Sequence, residues 1–219
     1  MNLPDARTRA LALRELLAPA CERIEVAGSI RRGKPEVKDA EIVAIPKTYE
    51  VETPGLFGPT STERRSLLWD TIDDVIAGGD SLTVHLMTAE LRQATRAWRE
   101  EVPEDVETRG LLTRHPPIGE RAAPWGDRYR KLVWAGLPVD LFTATPDTWG
   151  AIAVIRTGPA AFSQEWVTAI RRYGYRMEGG VVRDEGGALV PVPDEAAAFG
   201  LAGWAYLPAR ERGAGPCTA

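Results

Sequence analysis

Ala27-Gly28-Ser29-Ile30-Arg31-Arg32-Gly33 and, after a five-residue spacer, Asp39-Ala40-Glu41-Ile42-Val43 form the most informative segment of the chain. Ile24 to Ala27 reads as a short strand running into the Gly-Ser pair, and Ala40 to Ile45 as a second strand stopped by Pro46. Asp39 and Glu41 stand two apart at the start of that strand, so its period of two sets both carboxylates on one face, where they could share a cation. In isolation such a pair is more often a solvated strand face. Gly28 lets backbone N–H groups approach an anion, the Ser29 hydroxyl adds a donor, and a helix starting there adds partial positive charge, which together suit a phosphate. Arg31, Arg32 and Lys34 follow within one or two turns and supply countercharge. Taken alone, a Gly-Ser turn near arginines is commonly an ordinary loop.

Outward from this segment the pattern mixes helices and strands. Asp5 is expected to cap a helix running to about Cys21, with Ala10, Leu13, Leu17 and Cys21 on one apolar face and Pro19 tightening or ending its last turn. Leu68, Trp69, Ile72, Val75 and Ile76 mark an amphipathic helix ended by Gly78-Gly79, and Leu91, Ala94 and Trp98 mark another. Thr53 to Pro59 and His115 to Gly119 are loop-like. Tyr129 to Trp134 and Leu137 to Thr143, around Ala135-Gly136, carry a β-hairpin signal. There follow a strand near Ala151 to Ile155, a helix from about Ala160 to Tyr173 and two short strands around Asp184-Glu185-Gly186-Gly187. A short helix from about Asp194 and an irregular end with Trp204 and Tyr206 complete the pattern. The mixture predicts an α+β or mixed-sheet architecture.

Asp140 interrupts an otherwise apolar strand, flanked by Pro138, Val139, Leu141 and Phe142. A buried carboxylate without a partner is expensive. If its strand lies beside that of Asp39 and Glu41, three carboxylates converge, and charges that close ionise together only around a divalent cation. The alternative is an Asp at a strand edge, reaching water or an Arg such as Arg130.

Composition narrows the function classes. The 219 residues are 44% hydrophobic and 26% charged, which supports a real core in one domain or two small ones. No apolar stretch approaches the roughly 20 residues of a membrane helix, and the N-terminus lacks a secretory pattern, so export and membrane insertion are not expected. Two cysteines, Cys21 and Cys217, are too few for a disulfide framework and fit a reducing, cytoplasmic compartment. The net charge of -4 argues against coating nucleic acid through a bulk positive field, so any such contact needs local basic patches. Residues 47–139 hold 12 Lys/Arg against 15 Asp/Glu, which places most of the acidity in the middle and suggests an elaboration between two more regular blocks.

The order strand, Gly-Ser, arginines, Asp-x-Glu on a strand and a later strand Asp resembles the nucleotidyltransferase superfamily, and within it the family X DNA polymerases of the polymerase beta type. Val139-Asp140-Leu141-Phe142-Thr143-Ala144, Arg156-Thr157-Gly158-Pro159, Pro191-Val192-Pro193-Asp194-Glu195 and Trp204 to Arg212 look like the palm end and thumb of compact, viral-type members. The resemblance covers roughly residues 8–46 and 128–212. It implies an α+β nucleotidyltransferase palm over 1–145, with a mixed β-sheet, flanking helices and an insertion at about 47–127. A small α/β thumb over 146–212 and a disordered tail at 213–219 would follow.

By the same resemblance, Asp39, Glu41 and Asp140 would be catalytic, binding two Mg²⁺ ions, with Mn²⁺ as a substitute, against a nucleoside triphosphate and a primer 3′-hydroxyl. Gly28, Ser29 and Arg32 would hold the β and γ phosphates. Arg156, Thr157 and Gly158 would lie near the incoming nucleotide, and Gly158-Pro159 is where the family often has a cis peptide. The sequence departs from the family pattern in carrying Glu41 where Asp is usual and Ile155-Arg156 where Tyr-Phe commonly excludes a ribose 2′-hydroxyl. Val167 stands where a minor-groove Arg is frequent. With the palm helix starting almost at Met1, no lyase domain is expected.

The implied activity is a monomeric DNA polymerase acting on primer-template or gapped DNA with dNTP or NTP, as in gap-filling repair. The alternatives are transfer of NMP to a small molecule, RNA end or protein, and a catalytically degenerate member that binds nucleic acid. Weaker candidates are a basic strip at Arg128, Arg130 and Lys131 beside Tyr129 and Trp134, Trp166 facing DNA, and Arg171, Arg172 and Arg176 tracking a phosphate backbone. His85 and His115 have no partners at zinc spacing.

Overall fold

The computed structural model describes residues 1–53, 61–77 and 111–213. The helix expected at Leu91 to Trp98, the Gly78-Gly79 stop, the 54–59 loop, His85 and the tail from 214 onward, with Cys217, lie outside the described residues.

Helix α1 (Leu3–Leu17) buries Ala6, Ala10, Leu13, Leu16 and Leu17, the spacing of three and four that its apolar face predicts. Its cap is Asn2 rather than Asp5: the Asn2 side chain accepts from the Asp5 backbone N–H at 2.9 Å, with Pro4 in the first turn. Pro19 lies in a separate 3-10 turn, Ala18–Ala20, that leads into strand β1 (Cys21–Val26). A short helical turn, α2 (Gly28–Arg32), connects β1 to β2 (Ala40–Pro46), which runs antiparallel to β1 with Val26 opposite Ile42.

An antiparallel pair, β3 (Thr48–Thr53) and β4 (Ser61–Ser66), is followed by α3 (Leu67–Ala77). Strands β5 (Leu112–Arg114), β6 (Tyr129–Trp134) and β7 (Leu137–Thr143) complete a five-stranded sheet of order β1-β2-β7-β6-β5. Strands β6 and β7 turn at Ala135 and Gly136, both left-handed at φ 48° and 77°, as a tight hairpin turn requires. Strand β7 pairs parallel to β2 and antiparallel to β6, which makes the sheet mixed. The stretch 47–127 is therefore partly built into the main body: β5 is its sheet's edge, and Leu68 and Ile72 of α3 join Leu13, Leu17, Ile42, Leu132 and Leu141 in one core.

The other side of the sheet packs Val43 and Ile45 against Ala27, Ala144 and helix α4 (Trp149–Thr157) through Trp149 and Ala153. The sequence pattern predicts a strand at Ala151 to Ile155; a helix is found. This helix faces two cores, burying Ala153 against the sheet and Ala151 and Val154 against the C-terminal elements, so no polar face reveals its period. Gly150 lets it approach closely: a Cβ there would lie 1.9 Å from the Asp194 carbonyl oxygen.

Helix α5 (Ala160–Arg171), strands β8 (Arg176–Glu178) and β9 (Val181–Arg183), and α6 (Glu195–Leu201), capped by Asp194, form the C-terminal module. Strands β8 and β9 turn at Gly179-Gly180, and the chain returns again at Asp184 to Gly187, where Asp184 accepts from the Ala188 N–H at 2.8 Å and Arg183 bridges Leu189 antiparallel across the turn. Trp166 is core here, fully buried and donating to the Ala198 carbonyl at 2.9 Å, and so does not face outward. The chain is thus α+β, with a mixed sheet flanked by helices. Among the described residues no helix is long and apolar enough to cross a membrane.

Candidate active site

The parallel pairing of β2 and β7 sets Glu41 directly opposite Asp140, and Asp39 immediately precedes β2. Residues on one face of paired strands are neighbours, so the crossover brings together carboxylates about a hundred positions apart. All three are half-buried. The Glu41 carboxyl is raised to about 7, first by burial and then by the charge of Asp39, with Asp140 adding to it while Arg32 and Arg156 draw it back. The three acids and two arginines therefore share one electrostatic neighbourhood.

Gly28, buried and left-handed at φ 61°, lies against Glu41: a Cβ at this position would sit 1.8 Å from Glu41 Oε2. The Ala27 N–H donates to the Glu41 carbonyl at 2.7 Å, which fixes the turn to the strand. Next to it the Ser29 hydroxyl oxygen is buried without a hydrogen-bond partner. Such a group is costly to leave unpaired, and it marks the turn as a place where an acceptor would be welcome.

Asp140 is held by its own strand neighbours. Lys131, its cross-strand partner on β6, donates to Oδ1 at 2.6 Å, and the Tyr129 hydroxyl donates to the same oxygen at 3.0 Å. The Tyr129 hydroxyl is pushed well above its usual range by burial and by Asp140. Its ring stacks on Phe142 at 4.6 Å, and the Arg156 guanidinium covers Phe142 at 3.7 Å. Burial pulls Arg156 below its ordinary range against the opposing charges of Glu41 and Asp140.

The basic strip expected along β6 is divided between the two faces. Arg130 is buried on the opposite face, between the rings of Trp69 and Trp125 and 2.9 Å from Asp73, so it is not the partner of Asp140. Arg128 donates to the Gly179 carbonyl at 2.8 Å and ties β6 to the β8–β9 turn.

Beside Asp140 opens a cleft of about 680 Å³, bounded by Arg128, Tyr129, Phe142, Ile152, Arg156 and the Gly179-Gly180 turn. Its size suits a small ligand. Gly28, Ser29 and Glu41 are not part of its lining, though the charges of Asp140 and Arg156, which are, act on Glu41.

Thr157 is fully buried and already engaged: its hydroxyl accepts from Arg31 at 3.0 Å and its carbonyl from Arg32. Gly158 allows close packing, since a Cβ would lie 2.5 Å from the Phe162 ring. The bond to Pro159 is trans, not cis: Gly158 is extended at φ -70° and ψ 155°, and Pro159 continues so into the start of α5. Behind these residues Glu195 accepts from Arg31 at 2.6 Å and from the fully buried Arg212 at 2.6 Å. Burial alone would raise the Glu195 carboxyl, but the hydrogen bonds from Arg212 and Arg31 outweigh it and hold it below the usual range.

Sequence inspection places the three acids and the Gly-Ser turn but misses Lys131 as the partner of Asp140, and the Glu195–Arg212 pair entirely. The first had a signal, the alternation of β6, whereas the second joins residues with no shared period.

Asp39, Glu41 and Asp140 offer hard carboxylate oxygens, the donor type that suits Mg²⁺ or Mn²⁺. Among the described residues no three His, Cys, Asp or Glu side chains converge on one point, because Asp140 turns to Lys131 and Glu41 packs on Gly28. The backbone thus brings carboxylate donors onto neighbouring strands, with Asp140 balanced by Lys131 and Glu41 by Arg32 and Arg156. No family model matches the chain, and no curated protein matches it either.

Proposed function

We propose that the chain is a nucleotidyltransferase that transfers a nucleoside monophosphate from a triphosphate to a hydroxyl, with a DNA primer 3′-hydroxyl as acceptor. The observation that carries this is the in-register pairing of Glu41 with Asp140 across parallel strands, with the Gly28-Ser29 turn packed on Glu41. Carboxylates beside a glycine turn, an unpartnered serine hydroxyl and two arginines form an arrangement that can hold a polyphosphate at one end and a reacting hydroxyl at the other.

In this reading Ser29 and the Gly28 turn donate hydrogen bonds to the terminal phosphates, and Arg32 and Arg156 neutralise their charge. Asp39, Glu41 and Asp140 would hold Mg²⁺, which when bound would supply charge for the leaving pyrophosphate and lower the pKa of the acceptor hydroxyl. Asp140 lines the cleft, which supports reading it as the carboxylate that would face the acceptor. Arg31, Glu195 and Arg212 position the turn by fastening α2 to the C-terminal module.

A second reading places the NMP on a small molecule, RNA end or protein. The acidic excess of residues 47–139 favours it, since that stretch offers little attraction to a DNA backbone.

Extension of a labelled primer across a one-nucleotide gap, with each dNTP and NTP and either Mg²⁺ or Mn²⁺, separates these readings. Template-directed addition that vanishes in Asp140→Ala is expected. Addition indifferent to template, or transfer only to another acceptor, moves the conclusion to the second reading. No nucleotide-dependent transfer to any acceptor overturns both.

A further inference from the structure

Asp140 and Lys131 form a half-buried pair, their side chains 17% and 16% exposed, with the ammonium 2.6 Å from Oδ1 and the Tyr129 hydroxyl on the same oxygen. We propose that Lys131 is the resident counter-ion of Asp140 and sets how strongly a divalent cation is held there; this rests on the nucleotidyltransferase reading of the carboxylates. The pair is directly cross-strand, which sets the lysine stem beside Asp140 on β7.

The other carboxylates are balanced differently. Glu41 feels Arg32 and Arg156, neither of which forms an ion pair with it: Arg32 donates to the Thr157 carbonyl and Arg156 lies over the Phe142 ring. Lys131 is committed to Asp140 at hydrogen-bond distance, and its burial keeps water from screening the charge. A cation that reaches Asp140 must therefore share it with, or displace, a fixed positive charge. Loading at Asp140 is weakened relative to loading at Glu41, and the weaker of two cation sites is the one beside Lys131. Lys131 is in this sense a positioning residue, acting through Asp140 rather than on the substrate.

The test measures Mn²⁺ binding by electron paramagnetic resonance and calorimetry on the full chain, with a non-hydrolysable nucleoside triphosphate analogue present. Lys131→Met keeps the aliphatic stem and removes the charge, and it is expected to tighten the weaker Mn²⁺ site about tenfold. Lys131→Arg keeps the charge and is expected to stay within about twofold of wild type. Adding Asp140→Asn to Lys131→Met should abolish the gain. Circular dichroism checks each fold, and Lys131→Gln replaces Lys131→Met if the latter does not fold. Unchanged or weaker Mn²⁺ binding in the neutral variants overturns the role of Lys131 while leaving the carboxylate site intact. A wild-type chain that binds no Mn²⁺ with the analogue present overturns the carboxylate site itself, and this inference with it.

Discussion

The carboxylate of Glu41 lies so close to the backbone of Gly28 that a Cβ at position 28 would come within 1.8 Å of its Oε2 and 2.7 Å of its Cδ. Gly28 is also left-handed, at φ 61°, so two independent constraints fall on one residue. Gly28→Ala is expected to destabilise the fold by about 1–3 kcal/mol, read from the urea midpoint. Adding Glu41→Ala removes the clash but not the left-handed backbone. The double variant should therefore recover part of the loss and not all of it, a coupling that two unconnected sites would not show.

Glu41 should also leave a pH signature. Its carboxyl is raised to about 7 in the folded chain from an ordinary value of 4.5, so between these values the unfolded chain is ionised while the folded one keeps its proton. Stability contributed by this group is therefore lost as pH rises through that window, and the full penalty applies above it. Glu41→Gln removes the titration and should stabilise the chain by roughly 2–3 kcal/mol at pH 8 while changing little at pH 4, measured by denaturant unfolding at both values. A wild-type stability that climbs between pH 4.5 and 7 relative to Glu41→Gln would contradict the assignment.

Arg212 is fully buried, and its ionic partner among the described residues is Glu195, which also holds the more exposed Arg31. Removing one member of a buried pair strands the other charge. Glu195→Ala is expected to cost about 3–5 kcal/mol in stability, whereas Arg31→Met, which leaves Glu195 still paired with Arg212, should cost under about 1.5 kcal/mol. Thermal unfolding of the two variants side by side distinguishes them. Equal losses would mean that Arg31, not Arg212, is the main partner of Glu195.

Much of this site was legible because its signals are local. Asp140 announces itself as a charge in an apolar strand, and Ala135-Gly136 marks the hairpin that presents it. The Gly28-Ser29 turn and the alternation of Asp39 and Glu41 are likewise short-range. What failed was strand β8: the Asp184 to Gly187 turn does return the chain, with Arg183 bridging Leu189 across it, but the three residues of β8 before Gly179-Gly180 are too few to show a period, so their pairing with β9 went unread. Helix α4 was misread for a related reason, since a short segment buried on both sides shows no period. The parallel register of β2 with β7 and the Arg212–Glu195 pair depend on tertiary packing, which no local pattern encodes.

The position of Arg156 allows a structural cation to be separated from a ligand-binding one. Its guanidinium lies on Phe142 in the field of Glu41 and Asp140, and its Nε is buried without a hydrogen-bond partner. A cation so incompletely satisfied adds little to folding, and an apolar side chain of similar length could fill the same space. Arg156→Met should therefore change stability by less than about 1 kcal/mol. Glu41 would lose one of the two charges that restrain it, so its carboxyl should move above 7, followed by carboxyl-carbon NMR titration. If Arg156 also neutralises a polyphosphate, the variant should bind a nucleoside triphosphate about tenfold more weakly, while its affinity for the parent nucleoside stays unchanged. An equal loss for nucleoside and triphosphate would place Arg156 against the base or sugar instead, and loss of stability without loss of binding would make it a structural residue.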